Sequence, residues 1–257
     1  MKTKSLGFIG GGRITRIFLQ AFANKKTKFE SVVVFDNNSD VLAALKKQFP
    51  DIGLAENLDQ AAGQSIVFIA LHPPVIMESL DQIVDTITPN SIIISLAPKI
   101  TIKKIASKLK TANIVRMIPN ATSYINEGFN PITFARSFPE NEKANLVDVL
   151  NILGHNFETA ESKLEAYAMI SAMLPTYFWF QWNELEKLGT QMGLSAEESR
   201  LAIRDTLLAA IHLMYDSGLE ADQVKDLIPV KPIGENEGQI LEIYQTRLMG
   251  LFQKIAP

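Results

Sequence analysis

Along the first 120 residues, short apolar runs alternate with amphipathic stretches. Residues 4–9, 31–36, 65–70, 91–95 and 113–117 are brief and rich in Val, Ile and Phe, and the run at 31–36 is apolar on both faces. Such runs belong in the middle of a parallel sheet, where both faces are covered. Between them, residues 13–22, 41–48, 75–85 and 101–109 repeat apolar positions at helical spacing. Alternation of this kind predicts an α/β fold, a doubly wound parallel sheet with right-handed crossovers. Residues 131–135 and 156–159 are candidates for two further edge strands.

Beyond residue 160 no run reads as a strand. Residues 163–192, 196–217, 221–227 and 238–254 read as helices. The pattern predicts two domains, 1–159 with the sheet and 160–257 as a smaller all-helical domain. Residues 166–183 carry no formal charge and include Phe178, Trp179, Phe180 and Trp182. That length approaches a membrane span. Ser171, Pro175, Thr176 and Gln181 interrupt it, and the expectation is a helix buried at a domain or subunit interface. A small domain so rich in large apolar side chains is expected to pair with a second copy, giving a homodimer or a higher oligomer. Helices folded back on the sheet in a monomer are the alternative.

Composition narrows the function classes. The net charge is −3 and no basic run is long, which argues against a nucleic-acid partner. There is no cysteine, hence no disulfide, thiol nucleophile or cysteine metal site. The chain opens on a strand with no room for a signal peptide, so the expectation is a cytoplasmic protein without a membrane anchor.

The richest chemistry lies at the start. Strand 4–9 runs into Gly10-Gly11-Gly12, and Arg13-Ile14 opens the first helix. Strand, glycine turn and helix make the opening of a Rossmann-like dinucleotide-binding unit. Gly10 permits the tight turn. Gly12 has no side chain to hold a diphosphate away from the backbone, and the helix aims free N–H groups at it. Thr15 stands at the third small position of the pattern and is larger than usual. Asp36 ends the second strand, 24 positions after Gly12. That spacing suits a carboxylate bonding the adenosine ribose hydroxyls. It would repel a 2′-phosphate, and no Arg or Lys lies among residues 37–45 to bind one, which favours NAD over NADP. A helix cap is the other role open to Asp36. His72 follows the third strand at the edge where ligands bind in such sheets, either touching cofactor or held in a loop by Pro73 and Pro74. Asn120 follows Pro119 at the end of the fifth strand and offers a donor and an acceptor to the cleft. Glu161, Ser171, Tyr177 and Asn236 are polar groups in or beside apolar helices, open to structural or functional roles. No His/Asp/Glu grouping has metal-ligand spacing, so no metal is expected. Nothing supports a Ser-His-Asp triad.

Taken together, these motifs resemble the pyrroline-5-carboxylate reductase family over almost the whole chain. Residues 7–14, Gly-Phe-Ile-Gly-Gly-Gly-Arg-Ile, resemble the family's opening GFIGxGxM, and the resemblance assigns Ile9 to Ile14 to the cofactor. Residues 56–62 resemble its dNxEA segment, which places Asn57 on the adenosine side. Ala70-Leu71-His72-Pro73 stands where the family has AVKP, with His72 in place of a lysine. Residues 95–100 stand at SxAAGI, which puts Ala97 beside the cofactor and replaces Ala-Gly by Pro98-Lys99. Residues 115–122 resemble VRxMPNTP, the most specific match, with Glu127-Gly128 following. Residues 154–161 and Gly193 to Glu197 are similar to family segments in the helical half.

The departures gather on the substrate side. The family's SGSGPAY reads Ser171-Ala172-Met173-Leu174-Pro175-Thr176-Tyr177 here. Its SPGGTT loop corresponds to residues 231–236, with Asn236 in place of the hydroxyl that bonds the imine nitrogen. The resemblance implies a reductase that uses NAD or NADP to pass hydride to the C=N bond of a small imino acid, as in proline biosynthesis. It implies Asn120, Ser171 and Asn236 as the residues nearest the reacting atoms. Added bulk at Met173-Leu174 and charge at Lys99 predict a weak or altered activity. Three alternatives stay open: a reductase of a different imine or keto acid or with a deazaflavin-type cofactor, a catalytically silent NAD(P)-binding redox sensor, and a scaffold with a vestigial nucleotide fold.

Overall fold

The computed structural model describes residues 4–257. Eight strands form one sheet in the order β3-β2-β1-β4-β5-β6-β7-β8. The strands are β1 (Leu6–Ile9), β2 (Val32–Phe35), β3 (Gly53–Leu54), β4 (Ile66–Ile69), β5 (Ile92–Ser95), β6 (Ile114–Met117), β7 (Gly128–Phe134) and β8 (Gly154–Glu158). From β3 to β6 every pairing is parallel. β7 then runs antiparallel to β6, and β8 is parallel to β7. Both expected strands are present, but only β8 is an edge strand; β7 pairs on both sides and begins earlier than the sequence pattern placed it. β3 was not foreseen: two exposed residues, Gly53 and Leu54, have no apolar signature.

The helices between strands are α1 (Arg13–Asn24), α2 (Ser39–Gln48), α3 (Leu58–Ala62), α4 (Pro73–Gln82), α5 (Ile102–Ala106) and α6 (Glu140–Leu150). Alternating strand residues feed two cores. Leu6, Phe8, Phe68 and Ile94 pack with Phe18 and Phe22 of α1, Leu45 of α2 and Leu146 of α6. Ile9, Val67, Ile69 and Ile93 pack with Ala61 of α3, Ile76 and Leu80 of α4 and Ile105 of α5. The sheet is thus covered on both faces, which is why its central strands are apolar throughout. Phe8 and Phe68 stack across β1 and β4 with centroids 4.7 Å apart, and Phe18 meets Phe68 edge-on. α2 is capped by Asn38, whose Oδ1 accepts the Asp40 and Val41 N–H groups, so the cap role open to Asp36 belongs to Asn38. α4 begins at Pro73 itself, because the missing proline N–H costs nothing in a first helical turn.

The chain crosses from one half of the sheet to the other between β3 and β4, so that β1 is flanked by β2 on one side and β4 on the other. This reversal leaves a crevice at the carboxyl ends of β1 and β4, the place where open α/β sheets bind ligands.

The described residues form two compact units, 4–172 with Phe252–Pro257, and Met173–Leu251. The expected boundary at 159/160 falls inside the first unit. Residues 160–172 stay with the sheet because Leu164 and Ala168 pack on Ile118 just past β6. The single helix expected over 163–192 is also corrected. α7 (Leu164–Tyr167) passes into a π-turn at Ala168–Ala172 and a 3-10 turn at Leu174–Tyr177 before α8 (Trp179–Gln191). Pro175 starts that 3-10 turn, and its ring and missing N–H forbid a continuous helix.

The second unit is helical. α8 and α9 (Ala196–Asp216) form a hairpin, with Ser199 against Gly189. Ser195 and Glu198 close a capping box at the start of α9. α10 (Ala221–Asp226) and α11 (Glu237–Ile243) follow, and a π-turn at Tyr244–Leu248 leads into α12 (Met249–Ile255). Among the described residues of this unit only Ser199 is buried. Within residues 166–183, Ile170 is 65% and Phe180 67% exposed, so the expected buried helix is not buried within this chain. No helix among the described residues is long and apolar enough to cross a membrane.

Candidate active site

The glycine turn sits at the switch point and explains its own sequence. Gly10 adopts φ +105°, and a Cβ there would lie 2.5 Å from the Ala70 carbonyl oxygen. Only glycine fits both the conformation and the space. Gly12 is different: nothing lies within 4 Å of the place a Cβ would take. That open side faces out above the start of α1, which has no side-chain cap. The first N–H groups of α1 are thus left for an anion. Thr15 is buried, and its hydroxyl donates to the Gly10 carbonyl at 2.5 Å. The oversized third position therefore braces the turn by a hydrogen bond where glycine would rely on close packing.

Asp36 ties the turn to β2. Its Oδ2 accepts the Gly11 N–H at 2.7 Å, and its Oδ1 accepts the Asn38 N–H at 2.8 Å. Each carboxylate oxygen keeps a further lone-pair direction. Asp36 lines a cleft of about 440 Å³ with Ile9, Gly10, Asn57 and Leu71. Glu56, Asp59 and Glu78 also line it, and no Lys, Arg or His does. A second hollow of about 400 Å³ is lined by Gly11, Gly12, Arg13, Arg16 and His72, with no acidic residue. The turn thus separates an acidic cleft from a basic one. His72 is the N-cap residue of α4, so the loop expected from its two prolines is the first turn of a helix. Asn57 caps α3 through its Oδ1 and lines the acidic cleft.

Other expected cofactor residues sit around this centre. Ala70 continues β4, its N–H bonded to the Ile9 carbonyl at 2.8 Å. Ile14 is half-buried against the core and lines neither cleft. Pro73 begins α4. Ala97 is buried just past β5.

Asn120 and Ser171, 51 residues apart, are brought together. Asn120 Nδ2 donates to Ser171 Oγ at 3.1 Å, and Ser171 Oγ donates to the Phe129 carbonyl at 3.2 Å. Asn120 Oδ1 accepts the N–H and hydroxyl of Thr122, and its own N–H reaches Asn130 Oδ1 at 2.9 Å. The side chain is locked at both ends. Asn236 lies in the second unit, at the end of an exposed 3-10 turn, Gly234–Asn236. Tyr177 is in the same unit, and burial pushes its phenol above its ordinary pKa.

One feature of the site was missed in sequence: a buried ion-pair network. Arg116 is 0% exposed at the end of β6. Its Nη2 lies 2.6 Å from Glu165 Oε1, and its Nη1 3.1 Å from Glu161 Oε1. The same two carboxylate oxygens accept the N–H groups of Lys99 (3.0 Å) and Ile102 (2.7 Å). Glu161 was singled out without a partner, and Glu165 was overlooked. Their separation by four residues, one helical turn, was the available signal. Lys99 itself adopts φ +71°. The backbone at this position keeps a left-handed form, which accounts for glycine in the resembling family and makes the lysine a strained replacement.

A protein-family model described as NADP oxidoreductase, coenzyme F420-dependent, matches residues 5–99. Over 256 residues the chain is 22% identical to pyrroline-5-carboxylate reductase of Corynebacterium melassecola, covering 98% of this chain and 94% of that protein. It is 25% identical to pyrroline-5-carboxylate reductase 1 of Bacillus spizizenii, covering 88% and 77%. In fold it is similar to pyrroline carboxylate reductase of Plasmodium falciparum, solved with NADP bound, with TM-score 0.76, 21% identity, and 100% and 95% of the two chains covered. Likeness to prephenate dehydrogenase of A. aeolicus is weaker, at TM-score 0.56 and 11% identity. Glycine turn, strand order and likeness along nearly the whole chain agree, and the fold is that of the pyrroline-5-carboxylate reductases to which the chain is similar.

Proposed function

We propose that this protein is an NAD(P)H-dependent reductase that passes hydride to the C=N carbon of a small imino acid, as pyrroline-5-carboxylate reductases do. The observation that carries this reading is the glycine turn at the switch point, with Gly12 open above the uncapped start of α1. That cradle fits a dinucleotide diphosphate. Gly11, Gly12 and the α1 N–H groups hold the diphosphate, with Arg13 and His72 beside it. Asp36 and Asn57 take the adenosine ribose. When bound, the nicotinamide supplies hydride from C4. Asn120 and Ser171, bonded to each other, are assigned to orienting the imino acid. The product nitrogen gains one proton as the carbon gains hydride. Asn236 is assigned to the imine nitrogen, where an amide donates a hydrogen bond but is a poor proton source. A substrate that enters as the protonated iminium needs no further acid.

The test is direct: mix the protein with NADH or NADPH and pyrroline-5-carboxylate, and follow the absorbance of the reduced cofactor. Turnover is expected, slow relative to the family because Met173, Leu174 and Lys99 replace small residues. No turnover at high enzyme would sink the reading. Cofactor binding by calorimetry without turnover would then favour the silent sensor, which the strained Lys99 already supports.

We assign NADH as the better donor. Four carboxylates, Asp36, Glu56, Asp59 and Glu78, line the adenosine cleft with no basic residue to offset them. A 2′-phosphate placed there meets like charge. Asp36→Asn keeps an acceptor for the Gly11 N–H and removes the charge. It should raise the NADPH/NADH ratio of kcat/KM by roughly tenfold, about 1.4 kcal/mol. An unchanged ratio would mean that Asp36 serves only to brace the turn.

A homodimer through the helical unit is part of the proposal, with the reaction in the cytoplasm. A unit of this size with one buried residue, a serine, lacks a core of its own, and Phe180, Leu208 and Ile211 are all more than half exposed. Exposed apolar surface on this scale marks an interface. Sedimentation equilibrium should give at least twice the chain mass. A monomer at micromolar concentration would overturn this part.

A further inference from the structure

We propose that Glu165 is a positioning residue, which holds Lys99 in its left-handed backbone and so fixes the loop at residues 97–102 beyond the carboxyl end of β5. The inference rests on the reductase reading only for its effect on turnover.

Lys99 is over-determined. Its N–H donates to Glu165 Oε1 at 3.0 Å. Its carbonyl accepts from Lys104 Nζ, and its own Nζ donates to the Lys254 carbonyl, both at 3.4 Å. A residue with a Cβ at φ +71° is disfavoured and persists where its surroundings hold it. Of the three contacts, the bond to Glu165 is the shortest and the most shielded. Glu165 is 2% exposed, and its Oε1 is also 2.6 Å from the fully buried Arg116. A charged acceptor out of water makes a strong hydrogen bond. Lys99 and Lys104 are exposed, so their side-chain contacts compete with solvent.

The hold extends along the loop. Arg116 Nη2 also approaches the Ala97 carbonyl at 3.4 Å, and Glu161 fixes the Ile102 N–H at the start of α5. Ala97, Lys99 and Ile102 therefore hang from one group of three charges, of which Arg116 and Glu165 are buried and Glu161 is partly exposed. This loop leaves the carboxyl end of β5, two strands from the glycine turn. It lies on the β4–β6 side of the switch point, away from the acidic cleft that takes the adenosine. Its geometry should bear on the reacting end of the site and little on cofactor affinity.

Three variants test this: Glu165→Leu, Glu165→Gln and Lys99→Gly. Glu165→Leu should speed amide hydrogen exchange across residues 96–103 by at least about tenfold, as local protection is lost. It should lower kcat by roughly tenfold while the NADH Kd stays within about twofold. Glu165→Gln keeps an acceptor oxygen and should stay within about threefold of wild type in both readouts. Lys99→Gly removes the strain, so it should raise the urea midpoint and restore most of the kcat lost in the Glu165→Leu background. Unchanged exchange in Glu165→Leu would overturn the proposal, as would equal kcat losses with Lys99 and with Gly at that position. If Glu165→Leu does not fold, Lys99→Gly decides alone, and a lower urea midpoint there counts against a strained, held lysine. If the wild type shows no turnover, the reductase reading fails, and hydrogen exchange still settles the hold on Lys99.

Discussion

Replacing Arg116 with methionine is expected to lower the unfolding free energy by about 3–5 kcal/mol, because it leaves buried carboxylates without their cation. Methionine preserves much of the volume, so the cost is electrostatic more than steric. Glu165 at 2% exposure has nowhere to find water, whereas Glu161 is about a third exposed at its side chain and recovers some hydration. Urea unfolding followed by circular dichroism measures the change. A loss below about 1 kcal/mol would show that Glu165 regains water once Arg116 is gone. A triple change, Arg116→Met with Glu165→Leu and Glu161→Gln, should recover much of the loss, since removing a whole buried ionic group is often neutral.

The second large effect separates two glycines that lie two residues apart in the same turn. Gly12→Val should weaken NADH binding by at least roughly tenfold, about 1.4 kcal/mol, with the melting temperature nearly unchanged. The added side chain meets no protein atom within 4 Å at its Cβ and stands where the diphosphate approaches. Gly10→Ala should instead lower both binding and stability. Its Cβ would press on the Ala70 carbonyl at 2.5 Å, from a backbone at φ +105°. Thermal melts and calorimetry on the two variants check the contrast. Normal NADH binding by Gly12→Val would remove the main support for a diphosphate on this turn.

The central sheet was legible because its signal is local. Five apolar runs gave five parallel strands within a residue or two, and the alternation with helices gave the topology. β3 escaped because a two-residue exposed strand has no periodicity to read. The 163–192 segment misled for the opposite reason. Its helical periodicity is real, but Pro175 and the packing of Leu164 and Ala168 on the first unit break it into turns. The glycine turn of the candidate site was readable from Gly10, Gly12 and Asp36, since such a turn must be local in sequence to be tight in space. The meeting of Asn120 with Ser171 was readable only as two separate candidates.

The sequence by itself determined the α/β class, the glycine turn and the residues that could face a dinucleotide. Those features depend on steric rules that act within a few residues, so spacing and residue type are enough. Tertiary structure alone decided what each charge does. Asp36 proved to brace Gly11 as well as line the cleft, Asn38 took the helix cap, and Arg116 found Glu161 and Glu165 across 45 and 49 positions. A buried charge is set by which partner folding brings within about 3 Å, and no local pattern carries that information.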